Sequence, residues 1–170
     1  MSRELERNVA DIVSAAGGRL VSRIRLQKIA YLLDQLGANS GFSYTYHHYG
    51  PYSRDLDSAI LDAEAFSLVK EAFGRRASDG ARYSIFHTTQ HCDFTYLQDE
   101  RLRDLVKNLA SENVTVLELA ATAHWLKENE KVADWESEIV RRKGSKTANG
   151  RLGEAKSLLQ KIGLPIESAA

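Results

Sequence analysis

A helix opening Leu26-Gln27-Lys28-Ile29-Ala30-Tyr31 and a turn reading Tyr49-Gly50-Pro51-Tyr52-Ser53 bracket a short alternating segment. This pair of features constrains the fold more than any other part of the chain. Ser22 is placed to cap the helix, with Val21 and Leu26 as a hydrophobic staple. Ile24, Ile29, Leu32, Leu33 and Leu36 form its apolar stripe, and Gly37 is a natural residue to follow its end. Phe42, Tyr44, Tyr46 and His48 then alternate with Ser43, Thr45 and His47, the period of a strand. Gly50-Pro51 is expected to break that strand, with Pro51 pushing Gly50 towards an extended conformation. Ser53 is expected to cap a following helix carrying Leu56, Ile60, Leu61 and Ala63.

The flanking segments complete an order of elements. Leu5, Val9, Ile12 and Val13 fall at helical spacing, and Gly17-Gly18 ends that helix. Two β-like runs, Ser67–Phe73 and Arg82–Thr88, flank Gly74–Ala81, which holds the turn pair Asp79-Gly80. Helix, helix, strand, helix, strand, loop, strand is the order of a winged-helix domain, with that connector as the wing. Downstream, Leu97–Leu109 is amphipathic. Thr115-Val116-Leu117-Glu118 reads as a capping box, with Val114 and Leu119 as its staple. The helix it starts is apolar nearly all round and so predicts a buried centre. Val132–Arg142 and Leu152–Ile162 finish the chain. The fold class read from this is mainly α (α+β). A winged-helix-like part over 1–92 with a small antiparallel sheet packs against helices over 93–170, in one compact domain.

Composition narrows the function classes. With 43% hydrophobic and 27% charged residues the chain reads as globular. No apolar run approaches the roughly 18 residues of a membrane span, and the charged start Met1–Arg7 lacks a signal-peptide core. The single cysteine, Cys92, agrees with a reducing compartment, so a cytoplasmic location is expected. The 23 basic and 23 acidic side chains cancel, which disfavours a dedicated nucleic-acid binder. The charges are nonetheless segregated: Glu128 to Glu138 is acidic and Arg141 to Lys161 basic, as two solvated faces that attract each other.

The chain has no G-x-S-x-G, H-E-x-x-H, C-x-x-C or G-x-G-x-x-G pattern. Gly144-Ser145-Lys146-Thr147 lacks the upstream glycine and preceding strand of a phosphate loop. His47 and His48 are adjacent on a strand and point to opposite faces. His87, His91 and Cys92 lack a fourth ligand, and His124 reads as a core histidine with one hydrogen bond. No catalytic residue, cofactor or metal ligand is assigned, and the expectation is a chain without enzyme activity. DNA binding is the usual winged-helix reading, but the helix from Arg54 to Ala65 carries one base and four acids. Candidate nucleic-acid contacts are Arg75, Arg76 and Arg82 on the wing, and Arg141, Arg142 and Lys143 in the basic stretch from Arg141 to Lys161. Tyr44, Tyr46 and Tyr52, with the acids Asp55, Asp57 and Asp62, are the candidate surface for a protein partner.

The two-part motif, Leu26-Gln27-Lys28-Ile29-Ala30-Tyr31 followed by His47-His48-Tyr49-Gly50-Pro51-Tyr52-Ser53, resembles the YwgA-like proteins and the related Panacea domain, which includes the antitoxin SocA. The resemblance implies a non-enzymatic interaction module, antitoxin-like or adaptor-like, whose partner is another protein such as a toxin or a protease substrate. A winged-helix DNA-binding transcriptional regulator is the alternative. Tyr52-Ser53 after the proline and the basic C-terminal section depart from Panacea. In physical terms Gln27, Lys28, Tyr31, Tyr49, Gly50 and Pro51 are expected to form a clasp between the second helix and the strand, with Gln27 and Lys28 bonding carbonyls of the turn.

Overall fold

The structure, a computed structural model, describes residues 4–168. Met1, Ser2 and Arg3 of the charged start lie outside the described residues. The elements are α1 (Leu5–Ala15), β1 (Arg19–Val21), α2 (Arg23–Gln35), β2 (Thr45–His47), β3 (Gly50–Tyr52), α3 (Arg54–Ala65), β4 (Val69–Arg75), β5 (Arg82–Thr88), α4 (Glu100–Ala110), α5 (Val114–Glu128), α6 (Trp135–Lys143) and α7 (Arg151–Ile162). A 3-10 turn, Gly144–Thr147, joins the last two helices. The fold is mainly helical α+β. One antiparallel sheet has the order β1-β5-β4, and β2 and β3 form a separate antiparallel pair.

α5 is the centre of the helical layer. Leu117, Leu119, Ala120, Ala121, Ala123 and Leu126 are fully enclosed, and the helix packs against α2, α6, α7 and β3. The alanines let neighbouring backbones approach closely, while the leucines fill the space between them. α2 lies alongside, with Leu26, Ile29, Ala30, Leu32 and Leu33 at zero exposure. Its end is closed by Gly37, whose φ of +91° lets its N–H reach the Asp34 carbonyl and that of Ala38 reach Leu33. Ser22 and Ser53 accept hydrogen bonds from the N–H groups of Arg25 and Leu56, capping α2 and α3.

Several boundaries differ from the sequence reading. β1 pairs Leu20 with Phe86, a strand of three residues too short to show a period. The alternating run 42–48 contributes only Thr45–His47 as strand. Phe42 turns into the core instead, and Asp34 gathers the N–H of Ser40 and the hydroxyls of Ser40 and Tyr44. β4 starts later than expected, at Val69, because Ser67 takes a φ of +57° to close α3. α5 is capped by Asn113, whose side chain accepts from Thr115 and Val116. That leaves Glu118 free of the expected capping box. Gly50-Pro51 does not break the strand but begins β3, with Tyr46 opposite Pro51. A two-stranded ribbon tolerates proline, since only one neighbour needs its hydrogen bonds. Gly50 is not extended: its φ is +93°.

That conformation makes Gly50 hard to replace. A Cβ there would collide with the buried Thr122 Oγ1 of α5 as well as occupy the left-handed region. Gly50→Ala is expected to cost about 2 kcal/mol or more, read from urea midpoints. Combining it with Thr122→Ala should recover the steric part alone, and an unchanged midpoint in the single variant would contradict this packing.

Candidate functional site

Arg23, Gln27 and Lys28 leave α2 towards β3 and α3. The Gln27 carboxamide accepts from the Ser53 N–H and donates to the Ser53 carbonyl, both at 2.8 Å, as an adjacent strand would. Lys28 Nζ donates to the Pro51 carbonyl at 2.7 Å. One turn earlier, Arg23 forms a two-pronged pair with Glu71 of β4 and reaches Asp57 of α3. Ser84 donates to Glu71, while Asp57 accepts from Tyr52 and from Gln27. A polar seam therefore joins α2, β3, α3 and the β4-β5 hairpin.

Behind the seam lies a buried charge cluster. Glu118 of α5, only 3% exposed, accepts from Lys143 at 2.8 Å and from Lys146 at 3.0 Å. Lys143 also donates to the His48 carbonyl, fastening α6 to the turn between β2 and β3. Lys28 is 1% exposed. Burial pushes its ammonium down to about 7; Glu118 opposes that fall, and Lys143 and Lys146 add to it. Lys143 and Lys146 share the one carboxylate, while the Lys28 ammonium bonds the Pro51 carbonyl.

Tyr49 stands at the tip of the β2-β3 turn, 44% exposed. One cleft beside it, of about 380 Å³, is lined by Arg23, Gln27, Lys28, His47, His48 and Tyr52 among others. The other, of about 700 Å³, is lined by Arg25, Arg76, Arg82, Tyr83, Thr115 and Lys146. Glu118 is the sole acid in that lining, and it is already paired. The Arg25 guanidinium donates to the carbonyls of Val21 and Glu112, and its buried Nε–H has no partner among the described residues. Lys146 Nζ lies 4.9 Å from the centre of the Tyr49 ring. Such a surface attracts anions and offers rings for a heterocycle to stack on.

The structure brings Gln27, Lys28, Gly50 and Pro51 together, and sends Tyr31 elsewhere: its hydroxyl bonds His124 Nδ1 at 2.8 Å. Of the residues read as a protein-binding surface, several are used internally. Tyr44 bonds Asp34, Asp55 accepts from the Ser43 N–H, and Asp57 serves the seam, whereas Asp62 is exposed. Tyr46 packs beneath Arg142, 4.7 Å from its ring centre. The nucleic-acid set splits. Arg75 bonds the Gly80 carbonyl and Arg76 pairs with Asp79 at the hairpin tip. Arg141 and Arg142 are held by Glu138, and Arg142 also by Glu130, so the acidic and basic stretches do pair. Lys143 is not a surface cation at all, because Glu118 draws it inside. Cys92 bonds Asp11, and among the described residues no cluster of His, Cys, Asp and Glu has the arrangement of a metal site. Nor is any helix among them long and apolar enough to cross a membrane.

Comparison with known proteins adds one fact that the geometry does not contain. No protein-family model matches the chain. The chain is 29% identical over 130 residues to a Thermus aquaticus protein named DNA ADP-ribosyl glycohydrolase. The match takes in 71% of this chain and 34% of that protein, so the chain spans about a third of its relative's length. The relative is named as an enzyme acting on DNA. That overturns the expectation of a non-enzymatic, antitoxin-like or adaptor-like module, and with it the alternative of a transcriptional regulator and the expectation of no enzyme activity. The sequence motifs contained no sign of this similarity, because the match is spread over 130 residues rather than concentrated in a short pattern.

Two measurements probe the site. Gln27→Ala removes both bonds to Ser53 and leaves its buried N–H unpaired, with an expected loss of about 2 kcal/mol in urea unfolding; an unchanged midpoint would remove the seam from the account. For Lys28 the unfolded chain keeps its proton to about 10.5 while the folded chain releases it near 7. The unfolded state thus binds more protons in that window, and stability rises with pH across it. Between pH 7 and 8.5 the stability of wild type should rise relative to that of Lys28→Met, since Cys92 titrates alike in both; equal slopes would contradict the assignment.

Proposed function

We propose that the protein takes part in the hydrolytic removal of ADP-ribose from DNA, holding the modified strand in the basic cleft beside Tyr49 while the glycosidic bond is cleaved. The similarity to a DNA ADP-ribosyl glycohydrolase carries this reading. The cleft supports it, since Arg25, Arg76, Arg82 and Lys146 suit a substrate rich in phosphate, and Tyr49 and Tyr83 suit its bases. Because the match covers about a third of the relative, the part assigned to this chain is substrate holding. Lys28, with a proton affinity near neutrality, is the group placed to respond to charge in the neighbouring cleft. A place in the YwgA-like and Panacea grouping, resting on the Gln27-Lys28 and Gly50-Pro51 motif, and a cytoplasmic location belong to the same proposal. Nucleic acid thereby replaces a protein as the first partner.

The test uses a DNA oligonucleotide carrying ADP-ribose and its unmodified twin. Incubation with the chain should release ADP-ribose above the rate in buffer, or retain the modified strand at least about tenfold more tightly, roughly 1.4 kcal/mol. Arg82→Glu should weaken that retention. Neither release nor preferential retention would overturn the proposal.

A further inference from the structure

We propose that the free edge of β4 pairs with the same edge of a second copy of the chain, antiparallel and centred on Phe73, so that two three-stranded sheets become one. The pairing does not depend on the glycohydrolase reading.

β5 is the middle strand of its sheet, and its hydrogen bonds show which groups of β4 are spent. The Ser84 carbonyl accepts from the Ser22 N–H at 2.8 Å, and the Thr88 N–H donates to the Gly18 carbonyl at 3.0 Å, both on the β1 side. Ser84 and Thr88 lie opposite Phe73 and Val69 of β4. In an antiparallel ladder, residues that face one neighbour alternate with residues that face the other. Phe73, with Glu71 and Arg75 in the same alternation, therefore turns its N–H and carbonyl away from β5 and towards the edge. The Glu71 N–H confirms that direction, since it meets the Glu64 carboxylate of α3 at 3.4 Å. Phe73 and Arg75 have no backbone partner on that side among the described residues. β4 pairs with β5 without a bulge from Val69 to Arg75 and contains no proline, so two usual devices that close an edge are missing.

The edge is complementary to itself. About a two-fold axis at Phe73, that residue faces its own copy and exchanges both backbone bonds, while Glu71 faces the partner's Arg75. Arg75 has no ion pair among the described residues and sits opposite Arg82 across the hairpin, a like-charge pair. Glu64 has no ion pair among them either, and its carboxylate already lies at the Glu71 N–H. Pairing would hand that N–H to the carbonyl of the partner's Arg75 and bring the guanidinium of the partner's Arg75 to Glu64. Symmetry repeats the exchange on the other side. Apolar cover comes from Phe73, 50% exposed, and from Leu61, 64% exposed, one turn before Glu64 on the same side of α3. An unrelated strand would meet the backbone groups alone, whereas a second copy also brings the ring to the centre and an arginine to each Glu64.

Sedimentation of the chain across concentrations up to the millimolar range tests this, with a reversible dimer expected. Phe73→Pro removes a central N–H that β5 does not use, so the dimer should vanish while far-ultraviolet circular dichroism stays that of the folded chain. In a Cys92→Ser background, copper-phenanthroline oxidation of Phe73→Cys should give a disulfide-linked dimer. Lys70→Cys, also exposed, should not link, because Lys70 would face the partner's Arg76, about 20 Å along the ladder from the partner's Lys70. Arg75→Glu should weaken the dimer at least about tenfold, and adding Glu64→Arg should restore it. If Phe73→Pro fails to fold, the cysteine variants and the charge exchange decide alone. A monomer at every concentration, or a dimer that neither links through position 73 nor responds to the charge exchange, would overturn the proposal.

Discussion

The Gln27 carboxamide clamps both backbone groups of Ser53, and most of the functional face depends on that clamp. Ser53 is at once the residue after β3 and the cap of α3, so fixing it to α2 sets the strand and the helix together. Lys28 repeats the device one residue along, on Pro51. Backbone polar groups buried without partners are costly, and here side chains of a neighbouring helix satisfy a segment too short for a full sheet. The β2-β3 turn is thereby held out from the core with Tyr49 at its tip.

Holding Lys28 there places an ammonium group in the interior, and the charges around it follow from that. Glu118 draws in Lys143 and Lys146, Lys143 ties α6 to the His48 carbonyl, and the C-terminal helices are thus locked to the turn. Buried ion pairs contribute little net stability because desolvation offsets attraction. Their effect here is positional: they determine which cation stays inside and which, Lys146, faces the cleft. Net charge over the chain is zero, yet this one concavity is basic.

Much of the scaffold was legible in the sequence. Gly37, Ser22 and Ser53 announced helix ends because caps depend on local chemistry, and the apolar run of α5 announced burial because a helix with no polar face has nowhere else to go. Asp79-Gly80 marked the hairpin tip in the same way. The cleft was not legible. Arg25, Tyr83, Glu118 and Lys146 are brought together by tertiary packing across more than a hundred residues, and no spacing rule links them. Glu118 sat at the right offset from Thr115 for a capping box, and the true cap, Asn113, lay just upstream. Gly50 showed how a local rule yields: the pressure of Pro51 towards extended backbone lost to the close approach of α5. No motif pointed to an enzyme, and the proposal of one rests on similarity to a protein named as a glycohydrolase.

A structural seam thus positions the turn that borders a basic cleft, proposed above as the place where ADP-ribosylated DNA is held. The most direct measurement is an amide-resolved nuclear magnetic resonance titration of the labelled chain with ADP-ribose. The account predicts saturable shifts that cluster at Arg25, Tyr49, Arg82, Tyr83 and Lys146, with the outer faces of α4 and α7 unmoved. Shifts spread over the surface without saturation, or clustered away from Tyr49, would contradict it.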